Sequence, residues 1–454
     1  MVTVAFILFA VTKQAPSTVP KLTLVYWGVI DSEDAMRPFL AAYKTSRPNV
    51  TVEYVQKDFA NYRNDLLDAL ASGSGPDLFQ IPATWVPEYA AKGRVTPLPA
   101  SYSLPDFVQK KQLFKTVTSV VQRAQNPVTV AELARDFVPS VSEDSIVNGA
   151  IVALPFAADS LALFSNRELL NNARITAPPT SWEELKDASP KLTIADASGN
   201  LLQSAIALGA ATNVPHAAEI LTGLMVQGGA TLVDPGTKTA AFNQPTEPDY
   251  NPGVAATELF ASFATPGKET YTWSAKQGDA FSAFTGGTVA LYLGYQFELP
   301  RIREAAPQLA FDVTPMLHLD PSGTDRYGCT VGGVCRTYNV AGNWETTVAK
   351  LSKHPLEAWD FIQFMARNPS VQRSYAQATK RTPVLRSALD AAKTGGVEDV
   401  WINQAFTAHT WYHGLDAITA ERAITDVITA VAEGTSQPLE ALNLAAQQIS
   451  ATLR

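Results

Sequence analysis

A chain of 454 residues exceeds the ~250–300 at which a single hydrophobic core stops growing, so at least two domains are expected. With 46% hydrophobic residues the chain can pack real cores, which excludes wholesale disorder. Lys and Arg number 35 against 43 Asp and Glu, a formal charge of −8 with no basic block, which excludes the positive footprint of a nucleic-acid or anionic-membrane binder.

Met1 to Thr12 is apolar almost throughout, yet shorter than the ~20 residues needed to cross a bilayer, and polar, Pro-bearing Lys13 to Pro20 follows. The segment reads as part of a signal or membrane anchor, with a buried first strand as the other reading. Lys21 to Trp27 alternates as a strand and breaks at Gly28. Asp31 to Asp34 then supplies a cap and an acidic first turn for a helix through Tyr43, and Val50 to Val55 resumes strand character. This is a βαβ unit, whose right-handed crossover makes the two strands parallel neighbours. A helix over Tyr62 to Ala71 and a short strand over Asp77 to Ile81 continue it. Open sheets of this kind bind ligands at the carboxyl ends of their strands, where Trp27, Gln80 and Trp85 fall.

Leu104 to Ser142 reads as helical or irregular. Ile151 to Pro155 and Leu161 to Phe164 are strand-like, and Asn166 caps a helix from Arg167. Ser181 with Glu184 matches a capping box. Helices are predicted over Gln203–Gly209 and His216–Gln227, a loop over Asp234–Pro252, and helices near Val254–Ala264, Gly278–Phe284, Pro355–Ala366, Pro369–Ala378 and Ile418–Glu433.

Cys329 and Cys335 flank a glycine-rich stretch without the further ligands a zinc site needs. They read as a local disulfide worth about 2 kcal/mol in an oxidising compartment, or as two unpaired thiols of a cytosolic protein. Nucleophile-elbow, metalloprotease, phosphate-loop and dinucleotide motifs are missing from the sequence. His409 and His413 share a helical spacing but have no third ligand nearby. What stands out is aromatics in loops: Trp27, Trp85, Trp273, Tyr295, Trp411 and Tyr412. Aromatic faces beside planar hydrogen-bonding groups suit the apolar C–H faces of a sugar, and a 17% charged fraction, below the ~25% of ordinary domains, suits a neutral polar ligand.

From about Leu22 onward the chain resembles the extracellular solute-binding proteins of ABC importers, the group with maltose- and oligosaccharide-binding members. The resemblance is carried by Leu24 to Gly28, Ala69 to Asp77, Asn148 to Pro155 with Asp159 and Leu163 to Asn166, Pro178 to Leu185, Phe281 to Leu291 with Gly294 and Tyr295, Ala358 to Ile362, and Arg381 to Pro383. Tyr295 stands where the family usually has tryptophan, and the cysteine loop is extra. The resemblance implies a periplasmic-binding-protein-like α/β fold: two discontinuous lobes, three crossing segments near Ala157, Gly332 and Pro383, and a ligand cleft between the lobes that closes by hinge motion. Lobe 1 is expected over 21–157 plus 333–382 and lobe 2 over 158–332 plus 383–454, after an N-terminal segment over 1–20.

The resemblance further implies a non-enzymatic, cofactor-free, monomeric receptor outside the cytoplasm that hands a saccharide to a membrane permease, with possible tethering through the N-terminal segment. Ligand contacts are expected from Trp27, Asp31, Trp85, Asp159, Trp273, Tyr295, Gln296, Arg381, Trp411 and Tyr412. Asp159 would accept sugar hydroxyls, and Arg381 would either donate to ring oxygens or pair with an acid across the hinge. Asp31 reads equally as a helix cap and Trp27 as packing; Asp77 is assigned to a structural turn, Trp182 and Trp359 to the core. The competing readings are a polyamine or anion receptor and a secreted carbohydrate-active enzyme.

Overall fold

The computed structural model describes residues 19–112, 115–319 and 338–453. Met1–Thr12, the crossing expected near Gly332, and Cys329 and Cys335 with their expected disulfide lie outside the described residues.

The first βαβ unit forms as its sequence pattern requires. Strand Leu22–Gly28 pairs in parallel with Val50–Gln56 and, on its other side, with Leu78–Pro82. Ser32 caps the intervening helix Glu33–Ser46 by accepting the Ala35 N–H, with Glu33 and Asp34 in the first turn opposing the positive end of the helix dipole. Trp344–Val348, remote in sequence, pairs antiparallel with Leu78–Pro82 and carries Leu154–Pro155 on its outer edge. That pairing makes the first lobe discontinuous. The second sheet runs Ile194–Ala195, Leu201–Ile206, Val289–Gly294, Ala162–Asn166, Phe311–Pro315.

Successive strand residues feed different cores. Leu24, Tyr26 and Leu78 join Phe39, Tyr43 and Trp359 on one face of the first sheet, whereas Phe79 and Ile81 belong to a cluster that continues through Trp85 and Tyr89 into the second lobe. The lobes therefore share apolar packing as well as chain connections. Three passages link the sheets: Ala157–Ala158 pairs antiparallel with Thr382–Pro383, and the return through Ala341 is bridged to Ser160. Val384, Leu385, Ala388 and Leu389, expected in the second lobe, pack in the first lobe's cluster.

Several elements differ from the sequence reading. Leu104–Ser142 is not mainly helical: Tyr102–Gln112 and Lys115–Gln125 form an antiparallel hairpin, followed by helices Val130–Asp136 and Pro139–Ser145. Tyr102 and Leu104 are buried at its base, and Gln363 Nε2 donates to the Tyr102 hydroxyl at 2.7 Å, so tertiary contacts override an ambiguous local pattern. Gln203–Gly209 is not a helix: Leu201–Ile206 is a strand parallel to Val289–Gly294, since a short apolar run adopts whichever state its neighbours pair with. The predicted loop after Asp234 contains the small pair Val233–Asp234 and Thr239–Ala240. The capping box is displaced by one residue: Ser181 Oγ accepts the Glu184 N–H, but the Glu184 carboxylate accepts from the N–H and hydroxyl of Thr180. The terminal helix Pro438–Thr452, absent from the sequence reading, packs against Ala417–Ala432.

Trp182 and Trp359 are wholly buried, as expected, and Trp359 Nε1 donates to the Thr96 carbonyl at 2.9 Å. Trp359→Ala should cost about 3–5 kcal/mol, read as a lowered urea midpoint, because it opens a cavity and orphans that carbonyl.

Candidate functional site

Aromatic rings cluster at the carboxyl edge of the first sheet. Trp27 lies at the end of Leu22–Gly28, Trp85 follows Leu78–Pro82, and Trp344 pairs with Pro82. The fourth ring, Phe59, is placed by a cap: Asp58 Oδ1 accepts the Ala60 N–H at 2.8 Å, starting the helix at Phe59 straight after strand Val50–Gln56. Phe59 stacks toward Trp85 with centroids 6.2 Å apart and meets Trp344 edge-on at 5.2 Å, and Trp85 lies nearly parallel to Tyr89 at 6.3 Å. Phe59 nevertheless stays 51% exposed, an apolar ring supported from beneath and open above.

Cations brace this shelf. Lys57 Nζ sits 3.8 Å over the Trp27 ring and the Arg63 guanidinium 5.4 Å over Trp85. Glu88, 2% exposed, collects Lys92 at 2.8 Å, Arg63 at 3.0 Å and Arg94 at 3.1 Å. Burial alone would push its carboxyl up, but the bonds from Lys92 and Arg63 prevail and hold it below the ordinary carboxylate value.

At the lobe junction Tyr295 packs face-on to Gly342, where a Cβ would sit 2.5 Å from the Tyr295 ring, so only glycine permits the approach. Its ring contacts His216 edge-on at 4.6 Å and stacks with Phe297 at 5.9 Å. Buried Glu298 accepts the Tyr295 N–H at 2.8 Å and the Tyr292 hydroxyl at 2.7 Å, with His216 Nε2 at 3.4 Å.

Arg381 lies between two carboxylates. Its guanidinium is 3.7 Å from Asp31 Oδ1 and 3.6 Å from Asp159 Oδ2, with side chains 6% exposed or less. These distances are charge contacts beyond hydrogen-bond length, and Arg381 Nε and Nη2 have no acceptor among the described residues. Asp31 is held from elsewhere: its Oδ2 accepts the Tyr375 hydroxyl at 2.5 Å and its carbonyl the Tyr54 hydroxyl at 2.6 Å. Asp159 accepts backbone N–H groups from Ser160 at 2.8 Å, Gln296 at 2.7 Å and Phe297 at 3.1 Å. Burial still pushes its carboxyl up to about 6, against the pull of Arg381 and those N–H groups. Gln296 Oε1 accepts from the N–H and hydroxyl of Thr382, both at 3.0 Å, and Nε2 donates to the Lys380 carbonyl at 2.8 Å.

The residues singled out in the sequence thus fall into distinct places. Asp31, Asp159, Gln296 and Arg381 meet at the junction; Trp27 and Trp85 stand on the first-lobe shelf. Trp411 and Tyr412 are buried in the same apolar cluster as Trp85, and Tyr412 donates its hydroxyl to Thr452. Trp273, with no exposed surface, is held apart in the second lobe's core, its Nε1 donating to Asn213 Oδ1 at 3.1 Å. Sequence reasoning missed Phe59 and Trp344. An aromatic directly behind an Asp cap was a usable signal for Phe59; Trp344 offers none, because only its strand pairing puts it beside Trp85. No group of three potential metal ligands occurs among the described residues.

Two discontinuous α/β lobes about a buried junction define the two-lobed binding-protein class. Residues 39–405 match the family of bacterial extracellular solute-binding proteins, and the chain belongs to it. The chain is 22% identical over 351 residues to the maltotriose-binding protein of Pyrococcus abyssi, covering 77% of this chain and 63% of that one. It is 23% identical to a probable ABC transporter-binding protein of Deinococcus radiodurans, covering 56% of each. The chain therefore spans less than two thirds of the length of these relatives. Among solved structures it superposes on a Thermotoga lettingae solute-binding protein bound to α-D-tagatose with a TM-score of 0.71 at 18% identity, covering 95% of this chain and 100% of that one. It superposes on the Streptomyces glaucescens GacH receptor, solved free and with acarbose, with a TM-score of 0.69 at 19% identity, covering 96% and 99%. Among the described residues no helix is long and apolar enough to cross a membrane.

Arg381→Met should destabilise the fold by about 3–5 kcal/mol in urea titrations near pH 7, because Asp31 and Asp159 lose their buried counter-charge and Asp159 must take up a proton to stay in place. Adding Asp159→Asn should recover part of the loss. A single Met variant as stable as the parent would show that the junction does not need its cation.

Proposed function

We propose that this chain captures a saccharide between its lobes and delivers it to the membrane permease of an ABC importer outside the cytoplasm. The observation that carries the reading is the exposed Phe59 ring seated on Trp85 and Trp344 at the sheet's carboxyl edge, a platform matched to the C–H face of a pyranose. Relatives and structural neighbours named for maltotriose, tagatose and acarbose support the ligand class. In this reading Phe59 and Trp27 supply apolar faces, with Trp85 supporting Phe59, and the unpartnered Nε and Nη2 nitrogens of Arg381 supply donors. Asp31 and Asp159 are already paired with Arg381, which argues against a polyamine, whose ammonium groups would need both. The domain division of the sequence reading is kept in outline, with residues 384–389 moved to lobe 1. Monomeric state, anchoring through the N-terminal segment and the absence of enzymatic turnover belong to the same proposal.

The test is a thermal-shift screen of maltotriose, tagatose, free amino acids, spermidine and sulfate. A ligand at about 100 times its Kd adds roughly 2.7 kcal/mol of stability, an easily read rise in Tm. A rise with saccharides alone is expected; a rise only with spermidine or sulfate, or release of shorter sugars on incubation, would sink the reading. Phe59→Ala should leave Tm nearly unchanged while weakening saccharide binding by about 1 kcal/mol, roughly fivefold in Kd by calorimetry.

A further inference from the structure

A second set of groups joins the lobes away from the aromatic shelf. Helix Pro139–Ser145 of the first lobe faces the segment after Ala408, whose neighbours Trp411 and Tyr412 pack in the cluster that fills the second lobe. His409 Nδ1 lies 2.9 and 3.1 Å from the two carboxylate oxygens of Glu143, and His413 Nε2 lies 2.9 Å from Asp144 Oδ1. The other Asp144 oxygen accepts from the Thr410 hydroxyl at 3.0 Å and from Asn343 Nδ2 at 2.9 Å, with Asp144 1% exposed. Each pair therefore ties a helix whose Val141, with Val138 just before it, belongs to the first lobe's cluster to a segment whose Trp411 and Tyr412 belong to the other cluster.

Tyr338 stacks on His409 with centroids 5.5 Å apart. Glu345, fully buried, is pushed well up, first by burial and then by Asp144. Glu143, Asp144, Glu345 and Tyr338 are the titratable groups around the two rings. The hydrogen bond to Glu143 raises His409 against the cost of burial; for His413 the burial cost comes first and Asp144 outweighs it.

We infer that His409 and His413 form a proton-operated clasp in which each imidazole gains a proton as the lobes close. The closed form then binds more protons than the open form, so closure strengthens as pH falls through the raised histidine range. The inference rests on the closing motion of the proposed receptor but not on its ligand, so the first measurement uses none. In small-angle X-ray scattering of the full ligand-free chain, the radius of gyration should fall between about pH 8 and pH 6, the range where histidine titrates. It should not change with pH in the His409→Gln, His413→Gln double variant.

Calorimetry with maltotriose as probe should show Kd tightening over the same range in the parent and a flat profile in the double variant. A half-unit difference in histidine pKa between open and closed forms corresponds to about threefold in Kd. Glu143→Gln, at the more exposed pair, should remove the His409 share of both slopes while leaving Asp144 and its bonds intact, and it carries the test if the double variant does not fold by circular dichroism. A radius of gyration independent of pH, or a parent slope preserved in the variants, overturns the clasp. Compaction at low pH with a rise in Tm only for spermidine or sulfate keeps the clasp and removes the saccharide reading.

Discussion

A guanidinium buried at the meeting point of the chain crossings is the constraint from which the rest of this structure follows. Arg381 cannot lose its proton, so the fold must surround it with negative charge, and Asp31 and Asp159 come from two separate stretches of chain to do so. Neither acid is free to drift. Tyr54 and Tyr375 hold Asp31 from within the first lobe, and backbone N–H groups of Ser160, Gln296 and Phe297 hold Asp159 at the first crossing. Gln296 then binds Lys380 and Thr382, so the strand end of the second lobe is tied to the third crossing on both sides of the arginine.

The aromatic shelf is built by a different kind of force and sits at the free edge of the first sheet. Its rings come from a strand end, a helix start, a post-strand turn and a strand from late in the chain, and they converge because parallel strands deliver their loops to one edge. Trp85 and Trp344 are largely buried and give the shelf rigidity; Phe59 is supported by them and remains open. A ligand that touches such a surface on one lobe and groups at the junction on the other gains contacts only when the lobes approach, which couples binding to closure. The proposed clasp of histidine–carboxylate pairs between helix Pro139–Ser145 and the segment from His409 to His413 would act on that same equilibrium.

Much of the first lobe was legible in the sequence because its signals are local. Alternation marked Leu22–Gly28, the stretch Asp31 to Asp34 marked the next helix although Ser32 and not Asp31 makes its cap, and the order strand, helix, strand dictated parallel pairing. Asn166 capping, visible in the same way, is made with the Glu168 and Leu169 N–H groups. The failures share a cause. Leu201–Ile206 and the hairpin from Tyr102 to Gln125 are stretches whose composition fits more than one state; a distant strand decided the first, and the packing of the hairpin's base, with Gln363 bonded to Tyr102, decided the second. Trp273 stood beside polar residues in sequence yet is sealed in a core, since exposure belongs to the fold and not to the neighbouring residue types.

The sequence by itself determined an open α/β sheet with a parallel βαβ pair at its start, because helix caps, strand alternation and crossover handedness act over a few residues; the two lobes and the residues at the crossings came from the family resemblance. Which of those side chains can reach a ligand was decided only by tertiary structure. Trp344 becomes a shelf residue through pairing with Leu78–Pro82, Asp159 spends its lone pairs on backbone N–H groups, and His413 finds Asp144 across 269 residues of chain. Burial and long-range pairing depend on what the folded chain places nearby, which no local pattern encodes.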